Sequence, residues 1–348
     1  MSGARPGEAG LDWANLGFSY VRTPYRFQAT WADGRWTPGE LLEDNTLVIE
    51  EGACALHYGQ QCFEGLKAFA TADGQVLLFR PDQNAARLAR SAARLMMPAV
   101  PPELFMHAVR ECVRANLAWV PPHASGASLY IRPVLLGVGD NLGLRPAPRY
   151  LFRVFCSPVG PYFKGGLKGI KLLASDHDRA APRGTGAHKA GGNYAGGLLA
   201  SHEAKQKGYD EALYLDPVHR RYLDEAGSAN LFGILEAIGD HPPELITPES
   251  GTILPSITLD SLMTVAREEL GLSVARRKIP VDELMRLTEL ACAGTAAVVT
   301  PVASVTVGER TFEFLPAPGP WTRKLYDLLR SLQRGEREDP YDWTVNVA

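Results

Sequence analysis

The chain has 348 residues, more than the ~250–300 at which single hydrophobic cores usually divide, so two domains are expected. Hydrophobic residues make up 45% and charged residues 22%, as in ordinary globular proteins, and a net charge of −3 argues against a nucleic-acid-binding surface. No apolar run reaches the ~18 residues needed to cross a bilayer, and the first ten residues lack the hydrophobic segment of a secretory signal. The absence of such segments predicts no membrane contact. The 5 cysteines are scattered without metal-ligand spacing, which predicts reduced thiols in a cytoplasmic protein with no metal site.

The composition along the chain divides it into four segments. Residues 1–17 are predicted to be a disordered leader, and residues 18–157 a smaller α/β domain. The segment 158–169 concentrates glycine and proline, which is typical of an interdomain linker. Residues 170–348 are predicted to form a larger second domain, so the fold class is mixed α and β.

Short strands and two helices are predicted in the first half. Hairpins are expected to turn at Asp33-Gly34 and at Asp73-Gly74, because Asp-Gly favours two-residue turns. A helix is predicted to start at Pro81, and another to run from about Pro102 to Trp119. The strands SLYIRPVLLG and RYLFRVFCSP follow.

The second half continues with strands and three helices. The strand GIKLLAS leads into a glycine-rich segment, and a helix is predicted from about Asn193 to Gly208. RYLDEA and ANLFGILE are expected to pair as a hairpin, and a helix with a buried stripe is predicted to start at Ser256. The last amphipathic helix places Trp321 and four leucines on one face.

The segment from Arg179 to Gly197 contains one lysine, Lys189, among many glycines. Such glycine density is tolerated where the backbone takes a positive φ or where another group approaches closely. Its spacing fits neither a phosphate-binding P-loop nor a dinucleotide fingerprint, because Ala190 follows the lysine and no third glycine stands in place. Two interpretations remain at this point: a lysine whose amine carries chemistry, or a surface loop with an incidental lysine.

Four features elsewhere suit an anionic cofactor. Ser256-Ile257-Thr258 opens a helix, where free N–H groups bind phosphate, and the turn Gly294-Thr295-Ala296 offers further donors. Arg80 ends a strand and could contact the same phosphate. Glu225 could keep a pyridine nitrogen protonated. Each has an ordinary alternative (a helix cap, a tight turn, a surface arginine, a solvated carboxylate), but together with the lysine they point to pyridoxal 5′-phosphate.

Seven ordered strings make the match specific. LHYGQQCFEGLKAF, FRPDQNAARLARSAARL, LYIRPVLLG, HKAGGNYAG, LDEAGSANLF, GTILPSITLDSL and GTAAVVTPV resemble the branched-chain amino acid aminotransferases, which are fold type IV pyridoxal phosphate enzymes. The resemblance covers the chain from about Phe18 to the last helix. It implies a two-domain fold with the active site at the domain interface, and a homodimer.

The resemblance also assigns residues. Lys189 would form the Schiff base with the cofactor and move the proton during transamination. The cofactor-binding residues would be Arg80, Arg179, Lys189, Tyr194, Glu225, Ser228, Leu254, Ile257, Thr258 and Thr295. The substrate-binding residues would be Phe18, Tyr58, Phe63, Tyr130, Tyr162, Thr295 and Ala296, some of them contributed by the neighbouring subunit.

The implied reaction is the reversible transfer of the amino group of L-leucine, L-isoleucine or L-valine to 2-oxoglutarate, which gives branched-chain 2-oxo acids and L-glutamate. The residue that binds the glutamate side-chain carboxylate is not identified by the sequence. D-amino acid transaminases and aminodeoxychorismate lyases share the lysine and the glutamate and rank second. A nucleotide-binding protein and a non-enzymatic binding surface are the rivals from other classes. The CxxC pair that some family members carry after the GTA turn is replaced here by Ala297-Val298-Val299-Thr300, which excludes a thiol switch there.

Overall fold

The computed structural model describes residues 4–160, 167–227, 229–237, 239, 241–314 and 316–347. The chain divides into two compact units, each of which mixes helices and strands. The first unit comprises Met1–Tyr162, His188–Gly191 and Ser331–Ala348, and the second comprises Phe163–Ala187 and Gly192–Arg330. Among the described residues, no helix combines the length and the apolar character needed to cross a bilayer.

The first unit is built on a nine-stranded sheet. Its order is β18-β6-β5-β7-β8-β1-β2, and β3 pairs with β1 while β4 pairs with β7. The strands are β1 (Arg26–Ala32), β2 (Arg35–Trp36), β3 (Glu40–Leu42), β4 (Gln61–Phe63), β5 (Leu66–Ala70), β6 (Val76–Phe79), β7 (Ser128–Val138), β8 (Arg149–Val159) and β18 (Thr344–Asn346). The predicted hairpins at Asp33-Gly34 and Asp73-Gly74 are both present as antiparallel pairs.

The core of the first unit lies under the helices α2 (Pro81–Arg94) and α3 (Pro102–Ala115). Each begins with proline in its first turn, where the missing N–H removes no helical bond. Their apolar faces contribute Leu88, Phe105 and Val109, all at most 1% exposed, to the core. A short helix, α1 (Cys54–His57), precedes β4. The predicted second helix ends earlier than Trp119, and a 3₁₀ turn follows it.

The second unit holds another nine-stranded sheet, in the order β11-β10-β9-β16-β15-β12-β13-β14. Because β11 also pairs with β12, six strands close into a ring. The strands are β9 (Ile170–Ala174), β10 (Glu211–Leu215), β11 (Leu223–Ala226), β12 (Ala229–Leu235), β13 (Glu244–Pro248), β14 (Ser273–Arg277), β15 (Glu289–Gly294), β16 (Val298–Val307) and β17 (Arg310–Glu313).

Four further helices are present: α4 (Gly191–Gly196), α5 (Leu198–Gln206), α6 (Ile257–Glu268) and α7 (Pro320–Gln333). The prediction of one continuous helix from Asn193 to Gly208 was wrong, because Gly197 separates α4 from α5 and glycine is a poor helix former. The start of α6 at Ser256 is confirmed, and the Ser256 hydroxyl accepts the N–H of Leu259 at 3.1 Å.

Two predicted segment assignments differ from the structure. The leader is not disordered throughout, because the N–H of Gly7 donates to the carbonyl of Val120 at 2.8 Å and Leu16 is buried. The C-terminal stretch from Ser331 belongs to the first unit and not to the second, because β18 pairs with β6. Sequence periodicity carries no signal for such a pairing between distant strands.

Candidate active site

Lys189 lies in a short extended segment that belongs to the first unit. Its N–H donates to the Ser91 hydroxyl at 2.9 Å, and its carbonyl accepts the N–H of Phe63 at 3.1 Å. The next residue, Ala190, forms an antiparallel bridge with Cys62. Backbone bonds on both sides therefore fix the lysine against β4 and α2.

The side chain of Lys189 lies beside an aromatic ring, with Nζ at 4.9 Å from the centroid of Phe63. Burial, followed by the nearby charge of Arg87, lowers the pKa of Lys189 from 10.5 to about 8. A larger fraction of this amine is therefore neutral near pH 7 than for a solvated lysine. Lys189 is partly buried in the folded chain, whereas Lys67 in β5 is 7% exposed.

A buried ion pair lies in the same unit, next to Phe63 in the chain. Arg87 contacts Glu64 at two points, with Nε at 2.7 Å from Oε1 and Nη2 at 2.8 Å from Oε2. Asn84 donates to Oε2 at 2.7 Å. Burial alone would raise the pKa of Glu64, but the guanidinium of Arg87 holds it below its usual value, so the carboxylate stays charged.

The first unit also contains a cavity of about 430 Å³ beside β7. Alternation along β7 sends Leu129, Ile131 and Leu135 into the core and presents Tyr130 and Arg132 on the other face, where they line the cavity. Phe18 and Phe155 add aromatic wall to it. Phe18 contacts Tyr130 edge to face, with ring centroids 5.8 Å apart.

Three arginines line this cavity, and their donors are occupied to different degrees. Arg26 donates to three backbone carbonyls, and Arg153 donates to two and to the side-chain oxygen of Gln28. Arg132 donates to the Tyr130 hydroxyl at 2.9 Å, but its buried Nε has no hydrogen-bond partner among the described residues. Arg132 is partly exposed, whereas Arg26 and Arg153 are 1% and 4% exposed, so Arg132 is the arginine of the three best placed to receive an acidic ligand in the cavity.

The second unit holds Glu225 on β11, and this carboxylate is 3% exposed. Its Oε1 accepts the N–H of Leu254 at 2.6 Å and the amide of Asn230 at 3.2 Å. Its Oε2 lies 3.0 Å from Nε of Arg179, whose side chain is also buried. These contacts place three of the predicted cofactor-binding residues in one cluster.

Arg179 connects this cluster to the glycine-rich segment. Its Nη2 donates to the carbonyl of Gly186 at 2.8 Å and to that of Thr252. Gly186 cannot carry a side chain here, because an added Cβ would lie 2.3 Å from the Thr252 oxygen. Tyr194 lies in the same unit and lines a cavity of about 200 Å³ together with Arg179.

The predicted phosphate-binding groups lie on three elements. The N–H groups of Ile257 and Thr258 open α6, where an α-helix has no internal acceptors for its first amides. Thr295 and Ala296 form the turn between β15 and β16. Arg80 lies in the first unit, at the start of α2, with its guanidinium 4.9 Å from the ring centroid of Trp343.

Comparisons with known proteins show the family of the chain. The model of the amino-transferase class IV family matches residues 61–305. The chain is 51% identical to the branched-chain-amino-acid aminotransferase of Helicobacter pylori (strain J99 / ATCC 700824) over 98% of this chain and 99% of that protein. It is 49% identical to the enzyme of the same name from Haemophilus influenzae (strain ATCC 51907 / DSM 11121 / KW20 / Rd), over 97% and 99%.

The chain belongs to the class IV aminotransferases.

Two solved structures of class IV aminotransferases are similar in fold. The crystal structure of the Escherichia coli branched-chain amino acid aminotransferase has a TM-score of 0.77 at 29% identity and covers 94% of this chain and 100% of that one. The branched-chain amino acid aminotransferase from Thermobaculum terrenum, solved in its PLP form, has a TM-score of 0.77 at 26% identity, over 94% of this chain and 99% of that one. The resemblance and the fold class stated from the sequence are therefore confirmed.

The structure brings the predicted residues of this class IV aminotransferase into two groups. Phe18, Phe63, Tyr130 and Lys189 lie in the first unit, and Arg179, Tyr194, Glu225 and Leu254 lie in the second, as do the start of α6 and the turn at Thr295. Tyr58 is 43% exposed, and its hydroxyl donates to the carbonyl of Leu142 at 2.5 Å. The predictions for Tyr162 and Ser228 lie outside the described residues.

Three polar residues near these groups were not singled out from the sequence: Glu64, Arg87 and Arg132. All three occur inside strings that carry the resemblance, LHYGQQCFEGLKAF, FRPDQNAARLARSAARL and LYIRPVLLG. The alternation along β7 could have identified Arg132, since it shares a face with Tyr130. No local pattern indicates Arg87, because its partner is 23 residues away.

Proposed function

We propose that this protein is a pyridoxal phosphate-dependent aminotransferase that interconverts L-leucine, L-isoleucine and L-valine with their 2-oxo acids, using 2-oxoglutarate and L-glutamate as the partner pair. The observation that carries the proposal is the similarity to enzymes named for this activity. It covers 98% and 97% of this chain, at 51% and 49% sequence identity. The alternatives, a D-amino acid transaminase or an aminodeoxychorismate lyase, are not favoured by these relatives.

The residues present suit the cofactor chemically. Lys189 offers an amine with a lowered pKa, and Glu225 offers a buried carboxylate that is paired with the charge of Arg179. The start of α6 offers backbone N–H donors for a phosphate. When bound, pyridoxal phosphate supplies an electron sink that stabilises negative charge at the substrate Cα.

The protein's own residues then divide the work. Lys189 holds the cofactor and moves a proton at the substrate Cα, which requires its amine to be neutral. Glu225 would hold the pyridine nitrogen and favour its protonated form, and Arg179 and the Leu254 amide hold the Glu225 carboxylate in place. The amides of Ile257 and Thr258 would bind the phosphate, with Arg80 and Thr295 contributing to the same site.

The cavity beside β7 suits both kinds of substrate side chain. Phe18, Tyr130 and Phe155 give apolar walls for branched aliphatic groups. Pockets of this kind discriminate one methylene by only about 1–3 kcal/mol, so leucine, isoleucine and valine are all accepted. Arg132, which lines the cavity, supplies the charge that receives the side-chain carboxylate of 2-oxoglutarate.

The direct test is to mix the purified protein with L-leucine and 2-oxoglutarate and to measure glutamate. D-leucine and D-alanine serve as controls for stereochemistry. Borohydride reduction followed by peptide mapping should place the cofactor on the peptide HKAGGNY. Activity only with D-amino acids, or a label on another lysine, would overturn the assignment.

We further propose a homodimer, in which Tyr58 completes the substrate pocket of the partner subunit. An exposed apolar patch in the first unit supports this: Leu56, Tyr58, Leu142 and Leu144 are 59%, 43%, 91% and 85% exposed. Monomeric proteins seldom leave large apolar groups clustered in water. Tyr162 and Ala296 are assigned to the same pocket.

Subunit exchange tests this arrangement. A Lys189→Ala protein and an impaired Tyr58→Ala protein, once mixed, should form hybrids in which one of the two sites is intact, and activity should return. If verified hybrids stay inactive, each pocket is built within one chain.

Cytoplasmic location is part of the same proposal. All five cysteines are free thiols buried in the fold, which suits a reducing compartment. Recovery of the activity in the soluble cytoplasmic fraction of the producing cell is the measurement that checks it.

A further inference from the structure

The buried pair formed by Glu64 and Arg87 has no role in the function proposed above. Both residues are nearly inaccessible to solvent, since Glu64 is 0% exposed and Arg87 is 4% exposed. Buried ion pairs are weak contributors to stability, because desolvating two charges offsets most of their attraction. Packing alone therefore gives no reason to keep two charges at this place.

The location of the pair suggests its role. Asn84, Arg87 and Ser91 are buried residues spaced along one face of α2. Asn84 and Arg87 bind the Glu64 carboxylate, and Ser91 accepts the backbone N–H of Lys189. Glu64 directly follows Phe63, whose own N–H donates to the carbonyl of Lys189. One helix face thus holds both the ion pair and the lysine.

The groups that act on the Lys189 amine can be named. Arg87 and Arg132 lower its pKa, whereas Glu64 and the phenol of Tyr130 raise it, and among these four Arg87 has the largest effect. The carboxylate and the guanidinium act on Lys189 with opposite sign. Their effects on the pKa of Lys189 therefore partly cancel, because neither charge is present near the amine without the other.

We propose that Glu64 and Arg87 are positioning residues that balance the charge around Lys189, so that its amine can both accept and release a proton during the reaction. The inference rests on the proposed function, since it concerns the lysine assigned there. Its immediate consequence is a pair of opposite effects on the pKa of Lys189, which an ion pair too distant to act on the amine would not produce.

The test uses the two charge-removing variants Glu64→Gln and Arg87→Gln. In Glu64→Gln an uncompensated guanidinium remains, so the pKa of Lys189 should fall by about one pH unit or more. In Arg87→Gln an uncompensated carboxylate remains, so the pKa should rise by a similar amount. The double variant Glu64→Gln/Arg87→Gln should lie between the two and above the wild type, because the effect of Arg87 is the larger.

The readout does not depend on turnover. The cofactor-free protein is labelled with limiting acetic anhydride at a series of pH values, and the extent at Lys189 is measured by mass spectrometry of its peptide. The exposed Lys205 of the same sample is the internal standard.

The outcomes separate the two proposals. Shifts of opposite sign in the single variants support the balancing role. Shifts of the same sign, or no shift in folded variants, would overturn it. If a single variant does not fold, the double variant is used, because it leaves no unpaired buried charge. A pKa of Lys189 in the double variant at or below the wild-type value would then overturn the inference. Failure of the proposed function itself would be seen separately, as a borohydride label away from Lys189.

Discussion

Replacement of Glu225 by glutamine tests the proposed electrostatic role of this residue most directly. The two side chains have the same shape, so the change removes charge without opening a cavity. The single oxygen of the glutamine can keep the 2.6 Å bond from the Leu254 amide. Its amide nitrogen then faces Arg179, where the carboxylate oxygen now lies 3.0 Å from Nε.

Two magnitudes follow from this geometry. Breaking a buried ion pair on one side lowers the free energy of unfolding by about 3–5 kcal/mol. We expect the lower end, about 3 kcal/mol, because Arg179 keeps the carbonyls of Gly186 and Thr252 as acceptors. Turnover should fall by about 10²-fold or more, the effect typical of losing one preorganised electrostatic group.

The assay measures urea unfolding of the cofactor-free protein, and the rate of glutamate formation per bound cofactor. Asp224→Asn is the matched control. Asp224 precedes Glu225 in β11 and is equally buried, but its two oxygens face the Thr252 hydroxyl at 2.9 and 2.8 Å. Burial raises the pKa of Asp224, and the Thr252 hydroxyl contacts both of its carboxylate oxygens, so the control should change turnover little.

The reasoning predicts a large loss of turnover at Glu225 and a small one at Asp224. Near-normal rates in Glu225→Gln, measured where the protein is folded and loaded with cofactor, would refute the assignment of the pyridine-nitrogen partner. An equal loss of turnover in both variants would show that any buried acid of β11 serves only the fold.

Three further predictions concern other parts of the site. In the cofactor-free protein the pKa of Lys189 is lowered from 10.5 to about 8, so between these pH values the unfolded chain binds more protons than the folded chain. The free energy of unfolding should therefore rise with pH across this window. In pH-dependent urea titrations, Lys189→Met should remove that rise. Ser256→Ala should lower the free energy of unfolding by about 1 kcal/mol and weaken phosphate binding, measured as cofactor affinity, because Ser256 caps the N–H of Leu259; an unchanged affinity would remove the start of α6 from the phosphate site. Gly65→Ala should raise the KM for both substrates, because the added Cβ would lie 2.1 Å from the Tyr130 hydroxyl and displace this ring; steady-state kinetics with an unchanged KM would show that Tyr130 lies away from the substrates.

Local order in this protein was determined by the sequence alone. The hairpins at Asp33-Gly34 and Asp73-Gly74, the proline-initiated helix α2 and the start of α6 depend on turn, capping and periodicity rules that act within a few residues. The lysine segment was recognisable for the same reason, since its glycine density and its neighbours are contiguous in the chain. The family resemblance then supplied the roles of residues that no local rule connects.

Only the tertiary structure determined which charges meet. Glu64 finds Arg87 23 residues away, and Glu225 accepts the amide of Leu254 29 residues away. The C-terminal strand β18 joins the sheet of the first unit, although it follows the second unit in the chain. Hydrophobic periodicity indicates which face of an element is buried, but it does not indicate against which element that face packs. The pKa of Lys189 depends on that packing, because burial and the charges of Arg87 and Glu64 reach the amine only in the folded chain.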